Sequence, residues 1–195
     1  MMRMAEIERQ TLETNIELSL NLDGEGQAEI ATGIGFLDHM LVLLAKHAFL
    51  DLSVKANGDL NVDSHHTVED CGIVLGQALK QAIGNKTGMH RYGSCFLPMD
   101  EALAHVVLDF SGRPLLVWRA EIPKVVLGNL ETEMIEEFFR AVASESGLTL
   151  HVRLLYGQNT HHIVEAIFKA FARALAEAVA IDARVKGVMS SKGKL

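Results

Sequence analysis

One five-residue pattern occurs twice in this chain, as His65-His66-Thr67-Val68-Glu69 and as His161-His162-Ile163-Val164-Glu165. The copies stand 96 positions apart in a chain of 195 residues, and each runs into an apolar helical stretch, Cys71–Leu75 and Ala166–Ala170. Upstream the spacing persists, with Leu52-Ser53-Val54 set against Leu148-Thr149-Leu150. A chain that repeats its strand and helix signals at half its length, and its imidazoles and carboxylate with them, is constrained to fold as a duplicated unit. The two halves are expected at residues 1–95 and 96–195, within one compact domain.

The elements can be placed on that frame. Asn15–Leu22 alternates polar and apolar residues, the mark of a strand with one buried face. Asp23-Gly24-Glu25-Gly26 turns it into a second strand around Ala28–Ala31, and Phe36–Phe49 has apolar residues at helical spacing. Leu52–Ala56 and Leu60–Val62 read as a hairpin, because Asn57-Gly58 suits the positive φ of a tight turn. Thr67–Ile83 is the second helix. In the other half, strands are expected at Ala104–Phe110, Leu115–Ala120 and Leu148–Leu155, and helices at Glu131–Ser144 and Thr160–Ile181. Each half thus reads ββαββα or close to it. The fold class is α+β, with a small, mainly antiparallel sheet in each half, two helices on one face of it, and the helices packed between the sheets. Ser190-Ser191-Lys192-Gly193 lies beyond the last helix as a polar tail.

Composition narrows the function classes. A net charge of −7 argues against non-specific nucleic-acid binding, which rests on a broad excess of Lys and Arg. No apolar run is long enough to span a bilayer, and Met1-Met2-Arg3-Met4 leads at once into charged residues, unlike a signal peptide. The two cysteines, Cys71 and Cys95, are too few for a disulfide framework and lack zinc-ribbon spacing, so reduced thiols in a cytoplasmic protein are expected.

The histidine pairs carry the chemistry. In the first turn of a helix, Glu69 lies three and four residues after His66 and His65, so all three side chains reach the same helix end. Adjacent histidines diverge by roughly 100° on a helix, so His65 and His66 point to two different ions. With the second copy facing the first, each ion would draw one histidine from each half, and His39 at the start of the first helix would complete one shell. Imidazole and carboxylate without thiolate suit Mn(II), Fe(II) or Zn(II), and open six-coordinate positions favour Mn(II). A single adjacent pair usually marks a solvated helix start. Two copies in register are different, since packing gives no reason to retain four imidazoles.

The chain resembles the imidazoleglycerol-phosphate dehydratases of histidine biosynthesis. The resemblance is carried along nearly its whole length by Thr11-x-Glu13-Thr14, Gly33-x-Gly35-Phe36-Leu37-Asp38-His39-Met40, Asp63-x-His65-His66-Thr67-Val68-Glu69-Asp70, Arg91-Tyr92-Gly93, Pro98-Met99-Asp100-Glu101, Ser111-Gly112-Arg113-Pro114, His161-His162-x-x-Glu165-Ala166 and Ser190-Ser191-Lys192-Gly193. It implies a hydro-lyase with two Mn(II) ions per active site, held by His39, His65, His66, Glu69, His161, His162 and Glu165. It implies a substrate-facing Glu13 and His39, and phosphate contacts from Arg91, Arg113, Ser190, Ser191 and Lys192. It also implies a homo-oligomer, a hollow particle of 24 subunits built from trimers, with sites at subunit interfaces. One departure stands out. Many members carry a further ligand histidine in a Glu-His-Phe-Phe context, where this chain has Glu136-Glu137-Phe138-Phe139. Glu137 therefore takes the histidine's place, with His151 on the following strand as a weaker substitute.

The implied reaction dehydrates imidazole glycerol phosphate to imidazole acetol phosphate. The proton to be lost is not acidic, and two metals bound to the ring nitrogens would stabilise an imidazolate able to expel the hydroxyl as a diazafulvene forms. Glu165 or Glu69 would then move protons and Glu13 would assist the leaving hydroxyl. Two other readings use the same ligands: a dinuclear metallohydrolase of a small phosphorylated substrate, and a structural metal site in an oligomer.

Overall fold

A computed structural model describes residues 3–194. The first half contains β1 (Met4–Gln10), β2 (Thr14–Asn21), β3 (Ala28–Ala31), α1 (Gly35–Ala48), β4 (Asp51–Gly58) and α2 (His65–Ile83). The second contains β5 (Tyr92–Met99), β6 (Ala102–Asp109), β7 (Leu115–Arg119), a small hairpin β8 (Val126–Leu127) and β9 (Leu130–Glu131), then α3 (Met134–Ser146), β10 (Thr149–Tyr156) and α4 (Thr160–Val179). The sheets share one topology, β1-β2-β4-β3 and β5-β6-β10-β7, in which only the last pair of each is parallel. The α+β class, the duplicated halves and the helices between two sheets are as the sequence led one to expect.

The element order differs in detail. Each half is βββαβα, because β1 and β5 each open a sheet as an edge strand. β1 buries only alternate residues, Ala5 fully and Ile7 in part, while Glu6, Glu8 and Gln10 face outward. So weak an apolar signal hides a strand that pairing with β2 from Met4 to Gln10 secures. The expected hairpin at Leu52–Val62 does not form. β4 runs on to Gly58, the Val62 N–H donates to the Asp59 carbonyl in a turn, and the chain enters α2. Gly58 serves close packing there, since a Cβ on it would lie 2.0 Å from Thr67 Oγ1.

The helices meet in the middle layer. α2 crosses α3 closely because Gly72 and Gly76 present no side chain on the contacting face; a Cβ on Gly72 would come within 2.7 Å of the Phe138 carbonyl oxygen. Phe138, Phe139, Phe168 and Phe171 interlock between α3 and α4 with ring centroids 4.9–5.5 Å apart, all fully buried. Burying each such ring contributes roughly 2–3 kcal/mol relative to an exposed one. That packed layer fixes the starts of α1, α2 and α4, where the imidazoles stand.

The segment after α4 is stitched down rather than loose. Ile181 bridges Met89, the Asp182 N–H donates to the Gly88 carbonyl, and the Gly88 N–H donates to the Gly187 carbonyl. No helix among the described residues is long and apolar enough to cross a membrane. Cys71 is buried, and burial pushes its thiol up to about 12, so it is inert at neutral pH.

Candidate functional site

Both histidine pairs open a helix. His65 is the first residue of α2, and its N–H donates to the Asp63 carboxylate at 2.8 Å. His161 and His162 follow Asn159, whose side chain caps α4 by accepting their N–H groups at 2.9 and 3.4 Å. The divergence expected of neighbours on a helix is realised identically twice: ring centroids 6.1 Å apart at 74° for the first pair, 6.2 Å at 75° for the second.

In each pair the first histidine turns to the glutamate one helical turn on. His65 Nε2 lies 3.5 Å from Glu69 and His161 Nε2 3.1 Å from Glu165. The second histidine uses its other nitrogen. His66 Nδ1 is 3.0 Å from Asp59, and His162 Nδ1 is 2.7 Å from Glu101. Hydrogen bonding to Asp59 holds the His66 pKa above its ordinary value, as bonding to Glu101 does for His162. His162 in return draws the Glu101 carboxyl down to about 2.

The starts of α1 and α4 gather a metal-ready trio, one histidine from the first half and a histidine and glutamate from the second. His39, at the start of α1, lies 3.6 Å from Glu165, and ligand atoms of His39, His161 and Glu165 all fall within 4.8 Å of one another. Among the described residues this is the only such group of three. Two imidazoles and a carboxylate, with the imidazoles half exposed, form a donor set that fits a divalent ion and leaves positions open. Burial pushes the Glu165 carboxyl up, but Lys169 at 2.5 Å and His161 outweigh it and hold it below its usual value. Lys169 occupies one carboxylate oxygen, so the other faces the imidazoles.

The start of α2 gathers less. His65, His66 and Glu69 belong to no group of three, and Glu13 stands beside them with its carboxylate 3.8 Å from His66 Nε2. The trio draws one histidine from each half, His39 from the first and His161 from the second, but the two His-His-x-x-Glu copies do not face one another across a single cluster. Glu137 is ion-paired to Arg140 at 3.1 Å and contacts none of the histidines. His151 points from the outer face of the second sheet, among His105, Arg119 and Arg153, away from the helix starts.

The phosphate-binding candidates lie elsewhere. The Arg91 N–H donates to the Ala178 carbonyl near the C-terminal end of α4, whereas His161 opens that helix. At 1.5 Å per residue the two points are about 25 Å apart. The Arg91 guanidinium is buried, paired with Asp109 at 2.6 Å, and donates to the Met189 carbonyl at 2.7 Å, which ties it to the C-terminal segment. Arg113 sits by Ser111, three residues from Phe110, whose N–H bonds the Arg91 carbonyl. Ser190 accepts the Lys192 N–H through Oγ at 3.2 Å, Ser191 lies exposed between them, and the Lys192 side chain is exposed. Arg91, Arg113, Ser190, Ser191 and Lys192 thus share one end of the molecule. The His39–His161–Glu165 trio stands at the other end of α4. Sequence reasoning missed Asp59 and Lys169 altogether, because a carboxylate in a turn and a lysine in an amphipathic helix look ordinary until the fold places them.

Comparison with known proteins agrees over most of the chain. The sequence profile of the family described as Imidazoleglycerol-phosphate dehydratase matches residues 32–175. An imidazoleglycerol-phosphate dehydratase of Acetivibrio thermocellus is 63% identical over 193 residues, covering 99% of each chain. One from Clostridium novyi is 62% identical, covering 95% of this chain and 94% of its own. Among solved structures, the Staphylococcus aureus enzyme superposes with a TM-score of 0.84 at 45% identity, covering 92% of this chain and 99% of its own. The Pyrococcus furiosus enzyme, solved in complex with (S)-C348, gives 0.83 at 35% identity, covering 97% and 100%.

Proposed function

The chain belongs to the imidazoleglycerol-phosphate dehydratases, hydro-lyases of histidine biosynthesis, and on that premise we propose that it works through two Mn(II) ions in a site shared between subunits. The observation that carries the reading is the separation just described. The His39–His161–Glu165 trio would supply part of one metal shell, while the cations suited to a phosphate stand about 25 Å away along α4. A small phosphorylated imidazole does not span that gap. The cation end of one copy must therefore meet the histidine end of another, which supports a homo-oligomer, with the particle of 24 subunits built from trimers as the expected form. The donor set fits the ions: His39, His161 and Glu165 would hold one, and His65, His66, Glu69 and His162 complete the pair across the contact.

When bound, the ions would stabilise the negative charge of a deprotonated imidazole ring, which is what makes loss of the neighbouring hydroxyl feasible. The chain's own residues do the rest. Glu165, held below its ordinary pKa by Lys169 and His161, is ionised at neutral pH and able to accept a proton. Glu69, less enclosed, is the second candidate for that transfer. Glu13, beside His66 Nε2, lies at the open edge where a departing hydroxyl can be protonated. Arg113 would grip the phosphate by forked hydrogen bonds, while Arg91, its fork engaged by Asp109, and Lys192 would add positive charge.

The test is direct. Imidazole glycerol phosphate is given to metal-stripped protein, with and without Mn(II), and followed by NMR beside sedimentation of the same samples. Ketone formed only with Mn(II), without free phosphate, and by an oligomer, is the expected result. Inorganic phosphate would point to a metallohydrolase, and full activity from a monomer would overturn the shared site.

A further inference from the structure

The second histidine of each pair has its Nδ1 satisfied by a carboxylate, yet the two carboxylates are not copies of each other. Asp59 follows β4 in the first half, whereas Glu101 lies in the turn between β5 and β6 in the second. The residue matching Glu101 is Glu13, since each immediately precedes the second strand of its sheet. Glu13 faces the opposite nitrogen, His66 Nε2. Duplication accounts for the histidines recurring. It does not account for the same nitrogen finding a carboxylate from a different element each time.

We propose that Asp59 and Glu101 are positioning residues that fix His66 and His162 in one tautomer, with the proton on Nδ1 and the Nε2 lone pair presented to the metal. The inference rests on the metal reading above. A neutral imidazole that donates from one nitrogen must offer its lone pair at the other, and an oriented ligand loses less freedom on binding. Both carboxylates are themselves held. Glu101 accepts the N–H groups of Gln158 and Asn159 at 3.2 and 2.7 Å through its other oxygen, and the Asp59 N–H donates to the Glu13 carbonyl at 3.1 Å. The arrangement also explains the asymmetry between matching glutamates. Because Asp59 takes Nδ1 in the first half, Glu13 is released from the task Glu101 performs and is left free for substrate.

The experiment titrates metal-stripped full-length protein with Mn(II), reading bound metal by calorimetry and free Mn(II) by electron paramagnetic resonance, for wild type, Asp59→Ala, Asp59→Asn, Glu101→Ala and Glu101→Gln. Thermal unfolding of each metal-free variant serves as the control for folding. Wild type is expected to bind two ions per chain. Each alanine variant should weaken one of them about ten- to a hundredfold. The Asn and Gln variants, whose amide oxygen still accepts the Nδ1 proton, should recover most of that loss. Alanine variants that bind both ions as wild type does overturn the proposal, as do amide variants no better than alanine. Failure of the wild-type protein to bind Mn(II) would instead strike the metal reading itself, and this inference with it.

Discussion

The two histidine pairs match in ring geometry and differ in how far their surroundings enclose them. In the second half the glutamate is enclosed, with a side chain 8% exposed, a lysine on one oxygen and two imidazoles on the other; its counterpart Glu69 is 46% exposed and, among the described residues, pairs with no lysine or arginine. His39 joins the second pair and Glu13 the first. Asn159 caps the second helix, whereas Ser64 caps nothing and bonds Glu131. The repeat carries the same side chains into both halves, and the fold encloses one cluster and leaves the other open. On the proposed reading, the enclosed cluster would bind its ion with little rearrangement, and the open one would gain its geometry from the neighbouring subunit.

The sharpest way to break this contrast is to remove each glutamate's charge. Glu165→Gln is expected to lower kcat by about 10²–10⁴-fold and also to lower the melting temperature of metal-free protein, because it strands Lys169. Glu69→Gln should lower activity and leave melting unchanged, so equal melting shifts would erase the distinction. Next in size, Lys169→Met leaves a mostly buried carboxylate without its cation and is expected to cost about 2–3 kcal/mol in denaturant unfolding, below the cost of a fully buried pair because Lys169 is 18% exposed. It should also raise the Glu165 pKa.

A pH series tests where the halves agree. His66 and His162 both hold protons above the ordinary pKa of 6.5. Their contribution to the stability of metal-free protein is therefore complete below pH 6.5 and lost as pH rises through the higher folded value. Glu101 is complementary: its share is present above pH 4.5 and lost as pH falls toward about 2. Metal needs neutral imidazole, so Mn(II) affinity should fall on acidification with a midpoint above 6.5. A midpoint below 6.5 contradicts the pairing. The smallest effect concerns the caps. Asn159→Ala should destabilise by about 1 kcal/mol, a melting shift of about 2–4 °C, and Ser64→Ala by less than about half of that.

How much of this was legible beforehand follows the same divide. Strong periodicity gave α1, α2, α3 and α4, and the repeated ligand pattern put His65 and His161 at helix starts. β1 and β5 escaped because they are edge strands with half their residues in solvent. They also stand outside the spacing that relates the histidines, since Met4 corresponds to Tyr92 while the β8–β9 hairpin lengthens only the second half. Asn57-Gly58 suggested a hairpin because turn propensity is local, whereas the closeness of Thr67 that decides the matter is tertiary. At the site, His39 was readable as a helix-start imidazole. Asp59 and Lys169 were not, because their meaning lies in which ring nitrogen or carboxylate oxygen they occupy.

The length of α4 has a genetic consequence. On the shared site proposed above, a chain disabled at His161 still carries intact Arg91, and a chain disabled at Arg91 still carries intact histidines. Co-expressed, two inactive alleles would assemble some contacts in which each chain lends its sound end, and histidine prototrophy would return from a pair of defects that each abolish it alone.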